Sequence, residues 1–140
     1  MLTTVEKVLF LQEIDIFEYT STEDLSHIAA ITEESELQKD EIIFQEGDLP
    51  DAMYMVINGQ VRMTRAGEEV MVAGAKDVFG TWALFDDDPR VLTATATEDT
   101  KLLRIDRNEF NDLLSDDVRI AKGIIRTVTR KLRELAGRVS

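Results

Sequence analysis

Apolar residues near the N-terminus recur at helical spacing. Residues 3–11 read as a short helix with Val5, Val8 and Leu9 on one side. A second helix starts near Ser21. Ser21 and Asp24 form an N-cap pairing, and Leu25, Ile28, Ala29 and Ile31 supply the apolar stripe. From Glu36 the period becomes that of strands. Short runs at 41–44, 53–57, 60–65 and 70–72 are separated by turns at Gly47, Asn58-Gly59, Ala66-Gly67 and Gly74. Asn58-Gly59 is a hairpin signal. Thr93, Thr95 and Thr97 then alternate with Ala94 and Ala96, and residues 101–105 form a further strand. Asp106 or Asn108 caps a short helix carrying Phe110, Leu113 and Leu114. A long helix runs from about Asp116 towards Gly137, with Asp116 and Asp117 at its start and Arg133 and Arg138 near its end, as the helix dipole favours. Its apolar positions Val118, Ala121, Ile125, Val128, Leu132, Leu135 and Val139 step alternately by three and four, which is a heptad seam.

Short strands with glycine turns at this interval predict an antiparallel β jelly roll, or double-stranded β-helix. The class is α+β, mainly β, in one domain. N-terminal helices occupy 1–35, the roll 36–106 and C-terminal helices 107–140.

Composition narrows the function. The chain has 140 residues, 44% hydrophobic and 31% charged, which suits a folded domain with a real core. Cysteine is absent and His27 is the single histidine, so neither thiolate nor histidine-rich metal sites are expected, and no metal is assigned. His27 lies among polar neighbours and reads as a surface residue. No apolar run approaches the roughly 20 residues that span a membrane, and no secretory signal is visible, so a cytoplasmic protein is expected. The net charge of −12 argues against direct nucleic-acid binding. That charge is uneven. Residues 1–115 hold 9 basic and 25 acidic side chains, whereas residues 116–140 hold 7 basic and 3 acidic.

Residues 78–96, VFGTWALFDDDPRVLTATA, carry the candidate chemistry. Gly80 admits backbone conformations and close approaches that other residues resist. N–H groups at a short helix start, with one arginine, make an anion site. Phe79, Gly80, Ala83, Leu84, Pro89, Arg90 and Thr93 match F-G-x-x-A-L, a short loop, P-R and a small-residue strand. This resembles the phosphate-binding cassette of the cyclic nucleotide-binding domain family, as in catabolite activator protein-like sensor domains. The patterns I-I-F-x-E-G-D, D-x-M-Y-x-V-x-N-G-x-V and G-x-x-D-V-F-G extend the resemblance to nearly the whole chain. Thr81 departs from it, because the family has there a glutamate that holds the ribose 2′-hydroxyl.

The resemblance implies a ligand set of Phe79, Gly80, Thr81, Trp82, Ala83, Arg90, Val91 and Thr93, with Thr127 and Thr129 as base contacts from the last helix. Arg90 would pair with the cyclic phosphate of cAMP or cGMP. Its alternative is a salt bridge to the adjacent Asp86, Asp87 and Asp88. Trp82 fills either pocket or core, and the alternative for each threonine is a plain strand or helix residue. The implied function is a regulatory sensor that binds a cyclic nucleotide or related anion and signals through its C-terminal helix. The alternative is a degenerate, ligand-free member acting as a dimerisation or interaction module. An enzyme on a cupin-like roll would need several histidines and is not expected. DNA-binding relatives carry a helix-turn-helix after the long helix, so a transcription-factor role is not expected of residues 1–140 alone, whether they stand by themselves or as a module of a longer polypeptide. A homodimer is expected through Val118, Ile125, Val128, Leu132 and Leu135, unless that stripe packs on its own roll.

Overall fold

The period-two segments pair into two four-stranded antiparallel sheets. β1 (Thr32–Leu37), β8 (Thr100–Asp106), β3 (Ala52–Asn58) and β6 (Val78–Phe79) form one, in that order. β2 (Ile42–Phe44), β7 (Thr93–Ala96), β4 (Val61–Arg65) and β5 (Glu68–Ala73) form the other. This is the expected jelly roll. The computed structural model describes residues 1–139, without the side chains of Trp82, Arg138 and Val139. Trp82 in the pocket, Arg138 near the helix end and Val139 in the seam therefore lie outside the described residues.

Alternation along the strands sets the core. Ala94 and Ala96 of β7 are buried, and so are Val61 and Met63 of β4, while their neighbours point outward. Phe44, Tyr54, Val56, Phe79 and Leu102 join them in one cluster drawn from both sheets. Each of the larger apolar side chains, Phe44, Val56, Val61, Met63, Phe79 and Leu102, contributes roughly 1.5–3 kcal/mol by leaving water. Ala66 and Gly67 both have positive φ, 50° and 81°, which suits the right-handed twist of the β4–β5 hairpin.

Two expectations are corrected. The roll begins at Thr32, not Glu36, because the polar segment TEESEL pairs along β8 as an edge strand. Asn58-Gly59 is not a hairpin: β3 and β4 belong to different sheets, and the turn carries the chain from one to the other. Gly59 has φ +102°, and a Cβ there would lie 2.6 Å from the Thr100 Cα. Glycine is required for that close approach to the start of β8.

The chain divides into two compact units, residues 31–110 and residues 1–30 with 111–140, the boundary falling within α3 (Arg107–Asp116). In the helical unit α1 (Thr4–Leu11) begins at a capping box between Thr3 and Glu6, and α2 (Thr22–Ala30) has the expected Ser21 Oγ bond to the Asp24 N–H, at 3.1 Å. α1 buries Val8 and Leu11 and exposes Val5 and Leu9, so its inward face is rotated from the one expected. Asp106 caps α3, accepting from the Glu109 N–H.

α4 (Val118–Val139) has three faces. Ile120, Gly123, Ile124 and Thr127 are buried. Gly123 permits contact with the 3₁₀ turn at Asp15–Phe17 and its continuation, since a Cβ would lie 2.9 Å from the Tyr19 carbonyl oxygen. Val118, Ile125, Val128, Leu132 and Leu135 form an exposed apolar stripe, 48–62% exposed. The third face is basic. Among the described residues, no helix is long and apolar enough to cross a membrane.

Candidate functional site

Between β6 and β7 the chain leaves the sheets and lines a cavity of about 450 Å³. Gly80, at φ +73°, ends β6 and starts the 3₁₀ turn Thr81–Leu84. A Cβ at Gly80 would lie 2.7 Å from Arg90 Nη1, so this position must be a glycine for the arginine to occupy its place. The Arg90 main chain is fixed independently. Its N–H donates to the Asp48 carbonyl and its own carbonyl accepts from the Gly47 N–H, both at 2.8 Å.

Arg90 is only 8% exposed. Its Nη2 donates to the Ala52 carbonyl at 2.7 Å and to Asp51 Oδ1 at 3.0 Å. Its guanidinium lies 4.0 Å from the centroid of the Phe44 ring, a cation–π contact. The Nε–H is buried and has no acceptor among the described residues. A buried guanidinium with one unmatched donor is suited to receive an anion. Asp51, not the neighbouring aspartates, is the carboxylate partner, and it also holds Arg104 at 3.4 Å. Burial pushes the nearby Tyr54 phenol up, and the Asp51 charge adds to this.

The aspartate loop is arranged otherwise. Asp86 Oδ1 accepts from the Asp88 N–H at 3.0 Å, and Asp87 pairs with Arg107. Asp86 and Asp88 line the cavity alongside a second cation, Arg65 of β4, which has no ion pair among the described residues. The rest of the lining is mainly apolar, including Phe44, Met63, Val70, Met71 and Leu92.

Of the expected ligand set, Phe79, Gly80, Thr81, Ala83, Arg90 and Val91 line this cavity. Thr93 does not: its hydroxyl accepts from the Glu46 N–H at 3.1 Å and serves the roll. Thr127 is buried, and its hydroxyl donates to the Gly123 carbonyl at 3.3 Å. Thr129 is exposed on the basic face of α4. Sequence reasoning missed Asp51, although it stands in the quoted D-x-M-Y pattern, and it missed the β4–β5 contribution of Arg65, Val70 and Met71. No local spacing signals either, because both join the cassette through the fold.

One cluster elsewhere resembles a metal centre. Ligand atoms of Asp24, His27 and Asp117 lie within 4.8 Å of one another. Arg119 already supplies the cation, 3.2 Å from Asp24 and 3.1 Å from Asp117.

Comparison with known proteins agrees with this geometry. A family model described as a cyclic nucleotide-binding domain matches residues 34–117. A CRP-like cAMP-activated global transcriptional regulator of Mycobacterium tuberculosis is 28% identical over 116 residues, covering 77% of this chain and 52% of that protein. The cyclic AMP receptor protein of Thermus thermophilus is 36% identical over 97 residues, covering 66% and 45%. The chain thus spans about half the length of these curated relatives. Among solved structures, the N-terminal domain of a transcriptional regulator from Streptomyces coelicolor A3(2) is similar, with a TM-score of 0.83 and 28% identity over 90% of this chain and 94% of that one. The family model spans the roll, the cassette around Gly80 and Arg90, and on that match the protein belongs to the cyclic nucleotide-binding domain family.

Proposed function

We propose that the roll cavity is a sensor site for a cyclic nucleotide, with α4 as the output element and a non-catalytic, regulatory role. The observation that carries this reading is Arg90, buried on the cavity wall with its Nε–H unmatched. A cyclic phosphate is a monoanion with two exposed oxygens, and a guanidinium edge presents two donors to it. The relatives named for cAMP make that nucleotide the first ligand to test. To signal, the ligand must favour one arrangement of the helices over another. Thr81 offers a short neutral hydroxyl where a carboxylate would make a charge-assisted bond, so affinity is expected to be lower by about tenfold on that count.

The ligand-free reading has its own support. Arg90 already holds Asp51 and the Ala52 carbonyl, and Asp86 and Asp88 line the cavity an anion would enter. Thermal melts with cAMP and cGMP, on wild type and Arg90→Ala, separate the two. Ligand at 100 times its Kd stabilises by about 2.7 kcal/mol, a shift of several degrees. A shift lost in Arg90→Ala supports the sensor; no shift up to millimolar ligand supports the interaction module.

Either role is served by a homodimer through the exposed stripe on α4, which a second copy of the same stripe would cover. Sedimentation should give a dimer for wild type and a monomer for Leu132→Asp. A monomer for both at high concentration would exclude this interface.

A further inference from the structure

The helical unit has a second concavity, of about 420 Å³, lined by Tyr19, Arg126, Thr129, Arg130 and Arg133. The spacing of its α4 residues puts them on one face, apart from both the buried face and the apolar stripe. Its cations are of two kinds. Arg130 holds carboxylates through both terminal nitrogens, 2.7 Å from Glu18, 3.4 Å from Asp15 and 2.7 Å from Glu134, with its buried Nε–H unmatched among the described residues, while Lys131 holds Asp15 at 2.6 Å. Arg126 and Arg133 have no carboxylate partner among the described residues, and the Thr129 hydroxyl has no hydrogen bond there. Lys122, one turn before Arg126 on the same face, likewise has no ion pair among them. Elsewhere among the described residues Arg62, Arg90, Arg104, Arg107 and Arg119 each hold a carboxylate, and Arg65 in the roll cavity is the other arginine without one. The Arg126 guanidinium lies 4.2 Å from the centroid of the Tyr19 ring, which fixes its plane and leaves its N–H edge available.

We propose that this groove is a second anion site, separate from the roll cavity, and that it takes an oligophosphate. Arg126 and Arg133 are two turns apart, about 10 Å along the helix axis, so a single phosphate reaches one of them and a di- or triphosphate approaches both. Guanidinium forks match phosphate oxygens, and the hydroxyls of Thr129 and Tyr19 are further donors. The volume lies in the range of small-ligand sites. The carboxylates of Asp15, Glu18 and Glu134 edge the groove, but they are held by Arg130 and Lys131, and the free cations remain unneutralised.

The test is calorimetric titration of the full chain with inorganic tripolyphosphate at about 50 mM salt, where screening is modest. Saturable binding is expected, weakened at least about tenfold by Arg126→Ala/Arg133→Ala and unchanged by Arg90→Ala. Both arginines of the double variant are exposed, and its circular dichroism should match wild type. A parallel titration with ATP identifies the source of the phosphates: tighter binding than tripolyphosphate points to a nucleotide, equal binding to the phosphate chain alone. The proposal is overturned by silence up to about 5 mM tripolyphosphate, by equal binding in the double variant, by loss in Arg90→Ala, or by capture of a polyglutamate peptide while tripolyphosphate stays inert.

Discussion

Gly80→Ala isolates the packing that positions Arg90. Two costs are separable. Alanine at φ +73° pays the left-handed backbone penalty, about 1–2 kcal/mol. The added methyl also meets Arg90 Nη1 at 2.7 Å and the Ala52 carbonyl oxygen at 3.3 Å. The carbonyl is backbone within β3 and gives little, so the guanidinium must move. Its 3.5 Å contact with the Gly80 carbonyl is already marginal, but its 2.7 Å bond to the Ala52 carbonyl is strong. Losing most of a charge-assisted bond costs about 1–3 kcal/mol. The total is about 2–5 kcal/mol, against about 1–2 for Gly67→Ala, which has a similar φ of +81° and nothing within 4 Å of its Cβ. Urea unfolding of both variants measures the difference. Combining Gly80→Ala with Arg90→Ala removes the clash, so the double-mutant cycle should return a coupling of about 1–3 kcal/mol. Equal destabilisation by Gly80→Ala and Gly67→Ala, with no coupling to Arg90, would refute the packing described.

Gly59→Ala should be among the most damaging glycine substitutions, above about 3 kcal/mol in urea unfolding, because beyond the Thr100 hydroxyl its methyl meets backbone, the Thr100 Cα at 2.6 Å and the Asp99 carbonyl oxygen at 2.8 Å, which a side-chain rotation cannot relieve. Ile125→Asp, at a 62% exposed position, should leave monomer stability nearly unchanged while weakening self-association in sedimentation. Stability should also depend on pH through the start of α4. The hydrogen bond from Arg119 holds the Asp117 carboxyl down to about 2 from its usual 3.8, so its contribution is present above 3.8 and is lost as pH falls through about 2. Burial pushes Asp24 up, which has the opposite sign: that contribution is present at low pH and lost as pH rises through the raised value. Arg119→Ala should flatten the acid-side loss between about pH 4 and pH 2 in unfolding experiments.

Where local pattern and fold agreed, the sequence was readable. The Ala66-Gly67 hairpin, the alternating threonine strand, the Ser21 cap and the cassette around Gly80 are each decided by residues within a few positions of one another. Long-range pairing was not legible. β1 is polar and only partly buried, and it is a strand because β8 accepts it, 68 residues after it begins at Thr32 and pairs with Thr100 through Leu37. Asn58-Gly59 carries a hairpin's composition, yet the glycine answers a steric demand from Thr100. Arg90 finds its carboxylate 39 residues upstream at Asp51, although three aspartates stand beside it in sequence. On α4 the heptad seam was visible, but the shorter buried face of Ile120, Ile124 and Thr127 was hidden behind it.

In the proposed sensor role the cavity beside Arg90 receives a cyclic nucleotide. The decisive experiment is calorimetric titration of cAMP and cGMP into wild type, Arg90→Ala and Thr81→Glu. Thr81 lines the cavity, and a glutamate there would accept a charge-assisted bond from a ribose hydroxyl. Binding is expected to be measurable in wild type, lost in Arg90→Ala and about tenfold tighter in Thr81→Glu. No binding of either nucleotide at millimolar concentration, in wild type and in a folded Thr81→Glu alike, would contradict it.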